Sequence, residues 1–198
     1  SEIAIRRQKL SDLVAAGKDP FEITKFDRTV QAEEVLNDFE KYEGKTVTIA
    51  GRMISRRIMG KASFTHLLDG GKKLQAYVRR DDVGEEDYAA FKKWDVGDII
   101  GVEGFVFKTQ TGEISVHAQK IVLLSKSLLP LPEKYHGLTN TDLRYRQRYV
   151  DLIVNPEVMD TFAKRSKIIS CVRNYMESIG FIEVETPVLN SIPGGANA

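Results

Sequence analysis

The chain has 198 residues, 42% of them hydrophobic, which is enough for one packed domain of ordinary size and part of a second. Its 29 lysine and arginine residues nearly balance 28 aspartate and glutamate residues, so the net charge of +1 excludes a global attraction to nucleic acid and requires any such surface to be a local patch. The single cysteine, Cys171, excludes an internal disulfide, which fits a reducing, cytoplasmic location. The lack of a long uncharged apolar run predicts that the chain has no membrane partner.

The first 43 residues are predicted to form an N-terminal helical extension. Residues 1–17 carry apolar side chains at helical spacing, and Asp19-Pro20 breaks the pattern. A second short helix is predicted around residues 31–42, before Gly44. The expected apolar face of the first helix consists of Ile5, Leu10, Leu13 and Val14.

Beyond Gly44 the hydrophobic period changes to two, which is typical of half-buried strands. Gly70-Gly71 and the turn at residues 109–112 each separate two strands, and a helix is predicted over residues 85–94. The five predicted strands run from Val47 to Met53, then over 64–69, 73–79, 99–108 and 113–124. Five strands with a helix after the third favour an OB-fold barrel over residues 44–125, although fold alone does not establish function.

Residues 126–153 are predicted to be a linker, because Pro130 and Pro132 favour an extended connector. Residues 154–198 then begin a second domain. Asn155 is a candidate cap, Pro156 suits a first helical turn, and Gly180 suits the helix end. The apolar stripe between them needs a partner surface; it consists of Val158, Phe162, Ile169, Val172, Met176 and Ile179. A strand over 181–187 and a glycine turn over 192–195 are predicted to follow.

Two sets of basic residues are candidates for contacting nucleic acid. Arg52, Arg56, Arg57 and Lys61 form a cationic patch on the first strand and its following loop, although a solvated charged hairpin is an even alternative. Arg144, Arg146 and Arg148 form either a phosphate-facing row or, at least as readily, ion pairs with acidic side chains of the rest of the second domain.

Several polar and aromatic side chains are predicted on the outer face of the barrel. Phe64 alternates onto the same face as His66 and Leu68, where an exposed aromatic ring can stack on a base, although a lone strand phenylalanine is more often core. Gln75 and Glu113 offer the hydrogen-bonding groups that base edges require, although such residues are usually only solvated. The three histidines lack the short spacing of metal ligands, and Cys171 is expected to be a small packing residue.

The order helix, strand, Pro187 and Gly194-Gly195 resembles the first signature motif of class II aminoacyl-tRNA synthetases, which builds the dimer interface in that family. The segments 51–53, 56–64 and 108–113 resemble the anticodon-binding domain of lysyl-tRNA synthetases. The likeness continues through residues 6–10, 131–138 and 144–152. It implies an α+β protein in which an OB-fold barrel with N-terminal helices precedes the first helix and strand of a class II catalytic core.

The resemblance also implies residue roles. Phe64 would stack on an anticodon base, while Gln75, Arg57 and Glu113 would read base edges, and we add Arg52 from the cationic patch. Gly194 is the candidate for contacting the substrate lysine. No catalytic residue and no metal ligand are expected within the chain. The full enzyme would use ATP and Mg²⁺ to attach lysine to tRNA(Lys) and would be a homodimer. The chain is expected to be an N-terminal fragment that binds neither cofactor, forms no adenylate and does not bind DNA.

Three other interpretations remain open from the sequence. An aspartyl- or asparaginyl-type synthetase shares the barrel and the first motif, but the run from Met59 to Phe64 suits the lysyl pattern better. A stand-alone OB-fold protein would bind unrelated single strands equally well. A structural dimerisation module would bind no RNA.

Overall fold

The computed structural model describes residues 1–132 and 138–188. They belong to two compact units, Ser1–Val154 and Asn155–Ala198, which are described separately below. The first unit contains a closed five-stranded barrel. Its strands are β1 (Thr46–Met59), β2 (Ala62–Asp69), β3 (Lys72–Arg79), β4 (Ile99–Lys108) and β5 (Ile114–Ser125). The predicted OB-fold is therefore confirmed.

The barrel closes in the order β1-β2-β3-β5-β4, with β4 returning to β1. All neighbours are antiparallel except β3 and β5, which run parallel and place Gln75 beside Ser115. The 14-residue β1 pairs with β4 through its first half and with β2 through its second, and a register shift between Met53 and Ser55 divides the two. This bulge lets a single strand serve two parts of the barrel.

Alternation along the strands produces the barrel interior, as predicted. On β3, Leu74, Ala76 and Val78 are fully buried, and on β2 the buried positions are Ser63, Thr65 and Leu67. Phe64, His66 and Leu68 consequently lie on the outer face of β2. Buried aliphatic residues and methionine fill much of the remaining core; they include Val47, Ile49, Met53, Ile100, Val102, Val106 and Val116.

The connection from β3 to β4 is helical. A single turn, α4 (Arg80–Val83), precedes α5 (Glu85–Phe91), so the predicted helix exists but ends before Trp94. Tyr88, Phe91 and Trp94 face inward as expected. The hydroxyl of Tyr88 lies 2.8 Å from the Ser63 hydroxyl and donates to the carbonyl of Gly60 at 3.0 Å, which satisfies a polar group inside an apolar core.

Helix α1 (Glu2–Ala15) uses only part of the predicted apolar face: Leu10 and Leu13 are half-buried, and Leu13 packs against the hydrophobic core. Ile5 and Val14 are 58% and 49% exposed, whereas Arg6 is only 5% exposed. The Arg6 guanidinium donates to the carbonyls of Val96 and Ser127 at 3.1 and 3.0 Å. The prediction was therefore wrong for Ile5 and Val14 and missed Arg6, because hydrophobic periodicity does not register a buried cation whose N–H groups are satisfied by carbonyl acceptors.

A 3-10 turn (Pro20–Glu22) follows, and the second predicted helix is divided into α2 (Ala32–Asn37) and α3 (Phe39–Tyr42). A cluster of charged side chains joins the loop just before β4 to the residue just after β5. The Lys126 ammonium is 1% exposed and contacts both Asp95 and Asp98, with the Asp98 contact at 2.8 Å. Asp98 is fully buried and also accepts from the backbone amides of Asp95 and Ser127.

The predicted linker contains two helices, α6 (Thr141–Arg146) and α7 (Arg148–Val154). The three arginines of this segment form ion pairs, as the second interpretation expected, but the acidic partners that the structure describes belong to the same segment and not to the rest of the second domain. Arg144 and Arg148 both contact the buried carboxylate of Asp151, and Arg146 lies 2.9 Å from Asp142.

The described part of the second unit is dominated by α8 (Pro156–Ser178). Pro156 starts the helix and Gly180 follows its end with a φ of 93°, but the Asn155 side chain makes no capping hydrogen bond, against expectation. Of the predicted stripe only Val158 is buried. Cys171 is exposed, which corrects its expected packing role. Among the described residues, no helix is long and apolar enough to span a membrane.

Residues 181–187 are not a strand, so that element of the predicted fold was wrong for the structure described. A strand needs a hydrogen-bonding partner, and no other strand occurs in the described part of this unit. The predicted glycine turn and Gly194 lie outside the described residues.

Candidate nucleic-acid interface

An open groove of about 830 Å³ runs over the outer face of the barrel. Its floor is formed by β1, β2 and β3, and the β4–β5 hairpin loop forms one wall. The lining residues are Ser55, Arg56, Arg57, Met59, Ala62, Phe64, His66, Gln75, Tyr77, Phe107, Thr109, Gln110, Thr111 and Glu113. Four of the five predicted anticodon-binding residues, Phe64, Gln75, Arg57 and Glu113, thus meet in one groove.

Aromatic rings line the floor of the groove. Phe64 and Tyr77 are cross-strand partners, with ring centroids 4.9 Å apart and a tilt of 40°. Phe107, which also lines the groove, lies edge-on to Tyr77 at 6.2 Å. His117 does not line the groove but packs edge-on against Tyr77 at 5.0 Å. Half-buried rings held by their neighbours provide a rigid apolar surface on which a base can stack.

Gln75 and Glu113 belong to a hydrogen-bond network that also includes residues of β1, β2 and β5. Gln75 Nε2 donates to Glu113 Oε2 at 2.7 Å, and Gln75 Oε1 accepts from the Ser115 hydroxyl at 2.8 Å. His66 Nε2 lies 2.8 Å from Glu113 Oε1, and His66 Nδ1 lies 2.8 Å from the Ser55 hydroxyl. Gln75 faces outward as predicted, yet it is only 7% exposed because these neighbours surround it.

The four cations of the predicted patch separate into two pairs. Arg52 donates to the carbonyl of Gly97 at 2.7 Å, and Arg56 donates to the carbonyls of Phe91 and Trp94. Burial lowers the pKa of both guanidinium groups, and nearby carboxylates only partly offset this effect. These two arginines therefore tie β1 to the loop before β4.

Arg57 and Lys61 form the second pair. Both residues are exposed, and their side chains make no hydrogen bond or ion pair with any residue that the structure describes. Arg57 lines the groove, and Lys61 lies in the turn between β1 and β2 at its edge. An exposed cation without an internal partner is available to a phosphate or a base edge.

Sequence reasoning did not assign a role to Tyr77, Phe107 or His66. Strand alternation places Tyr77 and His66 on the outer face, so the signal was present for both. The position of Phe107 beside them depends on the order in which β3, β5 and β4 pair, which no local pattern contains.

Comparison with known proteins finds a family match for each of the two parts of the chain. Residues 47–124 match the OB-fold nucleic acid binding domain family, and residues 140–198 match the class II tRNA synthetases of the D, K and N group. Along its length the chain is therefore similar first to a nucleic acid binding barrel and then to the start of a class II tRNA synthetase domain.

Individual relatives indicate which enzyme of this class the chain resembles. The chain is 55% identical to the lysine–tRNA ligase of Clostridium tetani (strain Massachusetts / E88) over 193 residues, which is 98% of this chain and 38% of the relative. It is 53% identical to the lysine–tRNA ligase of Thermoanaerobacter sp. (strain X514) over 196 residues, 99% of this chain and 39% of the relative. The chain is a homologue of the lysine–tRNA ligases and spans about two fifths of the length of these relatives.

Proposed function

We propose that the chain binds the anticodon of tRNA(Lys) in the groove. The observation that carries the proposal is the convergence of Phe64, Gln75, Arg57 and Glu113 on one open surface. Aromatic rings beside fixed hydrogen-bonding groups and unpaired cations are the combination that unstacked single-stranded bases require.

The unused hydrogen-bonding capacity of the network suits uracil. Gln75 donates one of its two N–H groups to Glu113, and one lone pair of its oxygen accepts from Ser115. Its second N–H group and its second lone pair remain as one donor and one acceptor. Glu113, whose side chain is 47% exposed, retains lone pairs on both oxygens. Uracil presents one N–H between two carbonyl oxygens, so an acceptor beside a donor is complementary to its edge.

The whole protein, in this proposal, activates lysine with ATP and Mg²⁺, releases pyrophosphate and transfers the lysyl group to tRNA(Lys) in the cytoplasm. The exposed apolar stripe of α8 would contribute to a homodimer. We assign neither ATP nor Mg²⁺ to a described residue, and no group of three histidine, cysteine, aspartate or glutamate side chains in the described ranges is arranged to hold a metal ion.

The test is a titration of the chain with anticodon stem-loops that bear UUU, GUU and GUC, all at one moderate salt concentration. Salt must be fixed because phosphate contacts alone can dominate binding. We expect tightest binding to UUU. Preference for GUU or GUC would instead assign the groove to an asparaginyl- or aspartyl-type synthetase.

Two further outcomes would replace the proposal. Equal binding of all three stem-loops would indicate a sequence-tolerant single-strand binder. Failure to bind any of them would leave the chain as an assembly segment, and the cations of Arg57 and Lys61 would then be ordinary surface charge.

A further inference from the structure

His66 occupies an unusual place in the groove because it joins two groups that the sequence gives no reason to connect. Its Nδ1 lies 2.8 Å from the hydroxyl of Ser55 on β1, and its Nε2 lies 2.8 Å from Glu113, which immediately precedes β5. Its backbone pairs with Gln75 on β3. The imidazole therefore spans the floor of the groove and reaches its opposite wall.

The chemistry of the two contacts fixes the tautomer. An ionised carboxylate can only accept, so Nε2 carries the hydrogen that is donated to Glu113. In the neutral ring Nδ1 then accepts from the Ser55 hydroxyl, and in the charged ring it donates to the same oxygen. The bond to Glu113 is thus retained in both protonation states of His66.

Glu113 needs such a partner if it is to discriminate among bases. It follows a hairpin turn and its side chain is 47% exposed, so an unrestrained carboxylate there would sample many rotamers. His66 lies 2.8 Å from Oε1 and Gln75 donates to Oε2 at 2.7 Å, so contacts to both oxygens hold the carboxylate in one orientation. A fixed acceptor favours a base that presents an N–H in one position over a base that does not.

We infer that His66 is a positioning residue that sets the base specificity of the groove by orienting the carboxylate of Glu113. The inference rests on the proposed function, because it names the group that makes the anticodon readout selective. His66 acts here through Glu113, and no direct contact between His66 and the RNA is required.

Two near-isosteric substitutions separate this role from simple packing. The amide nitrogen of Gln in His66→Gln reaches the position of Nε2 and can still donate to Glu113. The shorter Asn in His66→Asn matches only Nδ1, keeps the contact with Ser55 and loses the contact with Glu113. The matched control is His117→Asn, because His117 on β5 does not line the groove and makes an equally close contact, at 2.7 Å, with Asp82 of α4 rather than with Glu113.

The RNA panel consists of the UUU stem-loop and three stem-loops in which one U is replaced by C. Cytosine has an acceptor where uracil has its N3–H, so the replacement removes the donor that Glu113 would accept. We expect His66→Asn to reduce the U-over-C preference at one position of the triplet by about tenfold, the usual worth of a hydrogen bond to a charged group. His66→Gln and His117→Asn are expected to keep the wild-type preference.

A measurement without RNA completes the test. Long-range proton–nitrogen NMR on histidine-labelled chain at about pH 8, where an ordinary imidazole is neutral, is expected to show the Nε2–H tautomer for His66, and Glu113→Gln is expected to weaken that preference. The Nδ1–H tautomer in the wild type, or an unchanged U-over-C preference in a folded His66→Asn variant, would overturn the inference while the proposed function stands. A wild-type chain that binds all four stem-loops equally would refute the proposed function and the inference together.

Discussion

Replacing Phe64 by alanine tests the stacking floor of the groove most directly. Stacking of a base on an aromatic ring contributes about 1–3 kcal/mol when it is measured by alanine substitution. Since about 1.4 kcal/mol changes Kd tenfold, the UUU stem-loop is expected to bind Phe64→Ala about 5- to 150-fold more weakly than the wild type.

The same substitution also removes an internal contact, which has to be counted separately. Phe64 lies 4.9 Å from Tyr77, and an aromatic pair of this kind contributes about 0.5–1.5 kcal/mol beyond the area that it buries. That contact exists with or without RNA, so its loss lowers the free energy of unfolding rather than the intrinsic affinity. Urea denaturation and RNA titration on the same variant therefore report on two different losses.

Phe64→Leu and Phe105→Leu make the test specific. Leucine keeps most of the apolar volume at position 64 but has no π face, so Phe64→Leu should bind RNA more weakly while it loses less stability than Phe64→Ala. Phe105 is a half-buried aromatic residue on β4 that contacts His117 at 4.6 Å and does not line the groove. Affinity within twofold of wild type for Phe64→Leu, or an equal loss for Phe105→Leu, would refute the stacking role.

Further predictions concern the stability and charge of the barrel. Lys126→Met leaves the fully buried carboxylate of Asp98 without its counter-ion, so urea denaturation should show a loss of about 3–5 kcal/mol. Adding Asp98→Asn should restore part of it, and no recovery would contradict the ion-pair account. Burial raises the pKa of Asp95, but hydrogen bonds from its two lysine partners outweigh this effect and hold the pKa below its ordinary value. The stabilisation from Asp95 is therefore present at neutral pH and should be lost as the pH falls below about 4, with a flatter acid profile in Asp95→Asn. Gly104→Ala would place a Cβ 1.9 Å from a backbone carbonyl oxygen of β5, so its Tm should fall sharply; a change within about 2 °C would show that β5 can shift. Lys61→Ala should reduce the slope of log affinity against log salt by about 0.7 and leave the preference for UUU unchanged, whereas a changed preference would indicate a base contact.

Strand alternation predicted the barrel and the outward position of Phe64, because both depend on which side chains must avoid water. It did not predict the burial of Gln75. That burial depends on the parallel pairing of β3 with β5, which brings Ser115 beside Gln75 from 40 residues away. Non-local pairing leaves no local signal. The side-chain amide of Gln75 was therefore expected to be solvated, whereas its nitrogen donates to Glu113 and its oxygen accepts from Ser115.

The cationic patch shows the same limit on a smaller scale. Arg52 and Arg57 are five positions apart on β1, so strict alternation would place them on opposite faces. The bulge between Met53 and Ser55 shifts the register by one residue, so that Arg57 pairs with Phe64 on the outer face and lines the groove. Arg52 instead bonds to the carbonyl of Gly97, a contact that no local pattern contains. The assignments of anticodon roles to both residues remain predictions.

The predicted strand at 181–187 failed for a thermodynamic reason. Its alternating sequence suits a sheet, but a lone extended segment gains no ladder hydrogen bonds to offset the cost of ordering its backbone. Sequence can therefore specify that a segment is ready to pair without specifying that a partner is available.

The parallel pairing of β3 with β5 also has a consequence for folding. Gln75 and Glu113 are 38 positions apart, and β5 can join β3 only after the chain between them has been laid down. Contacts over such a sequence separation form late, because the entropy of closing the intervening loop must be lost before they add stability. During refolding, the ability to discriminate among RNA sequences should consequently appear only with the final closure of the barrel. A chain whose barrel is still open would bind RNA through its exposed cations but without sequence preference.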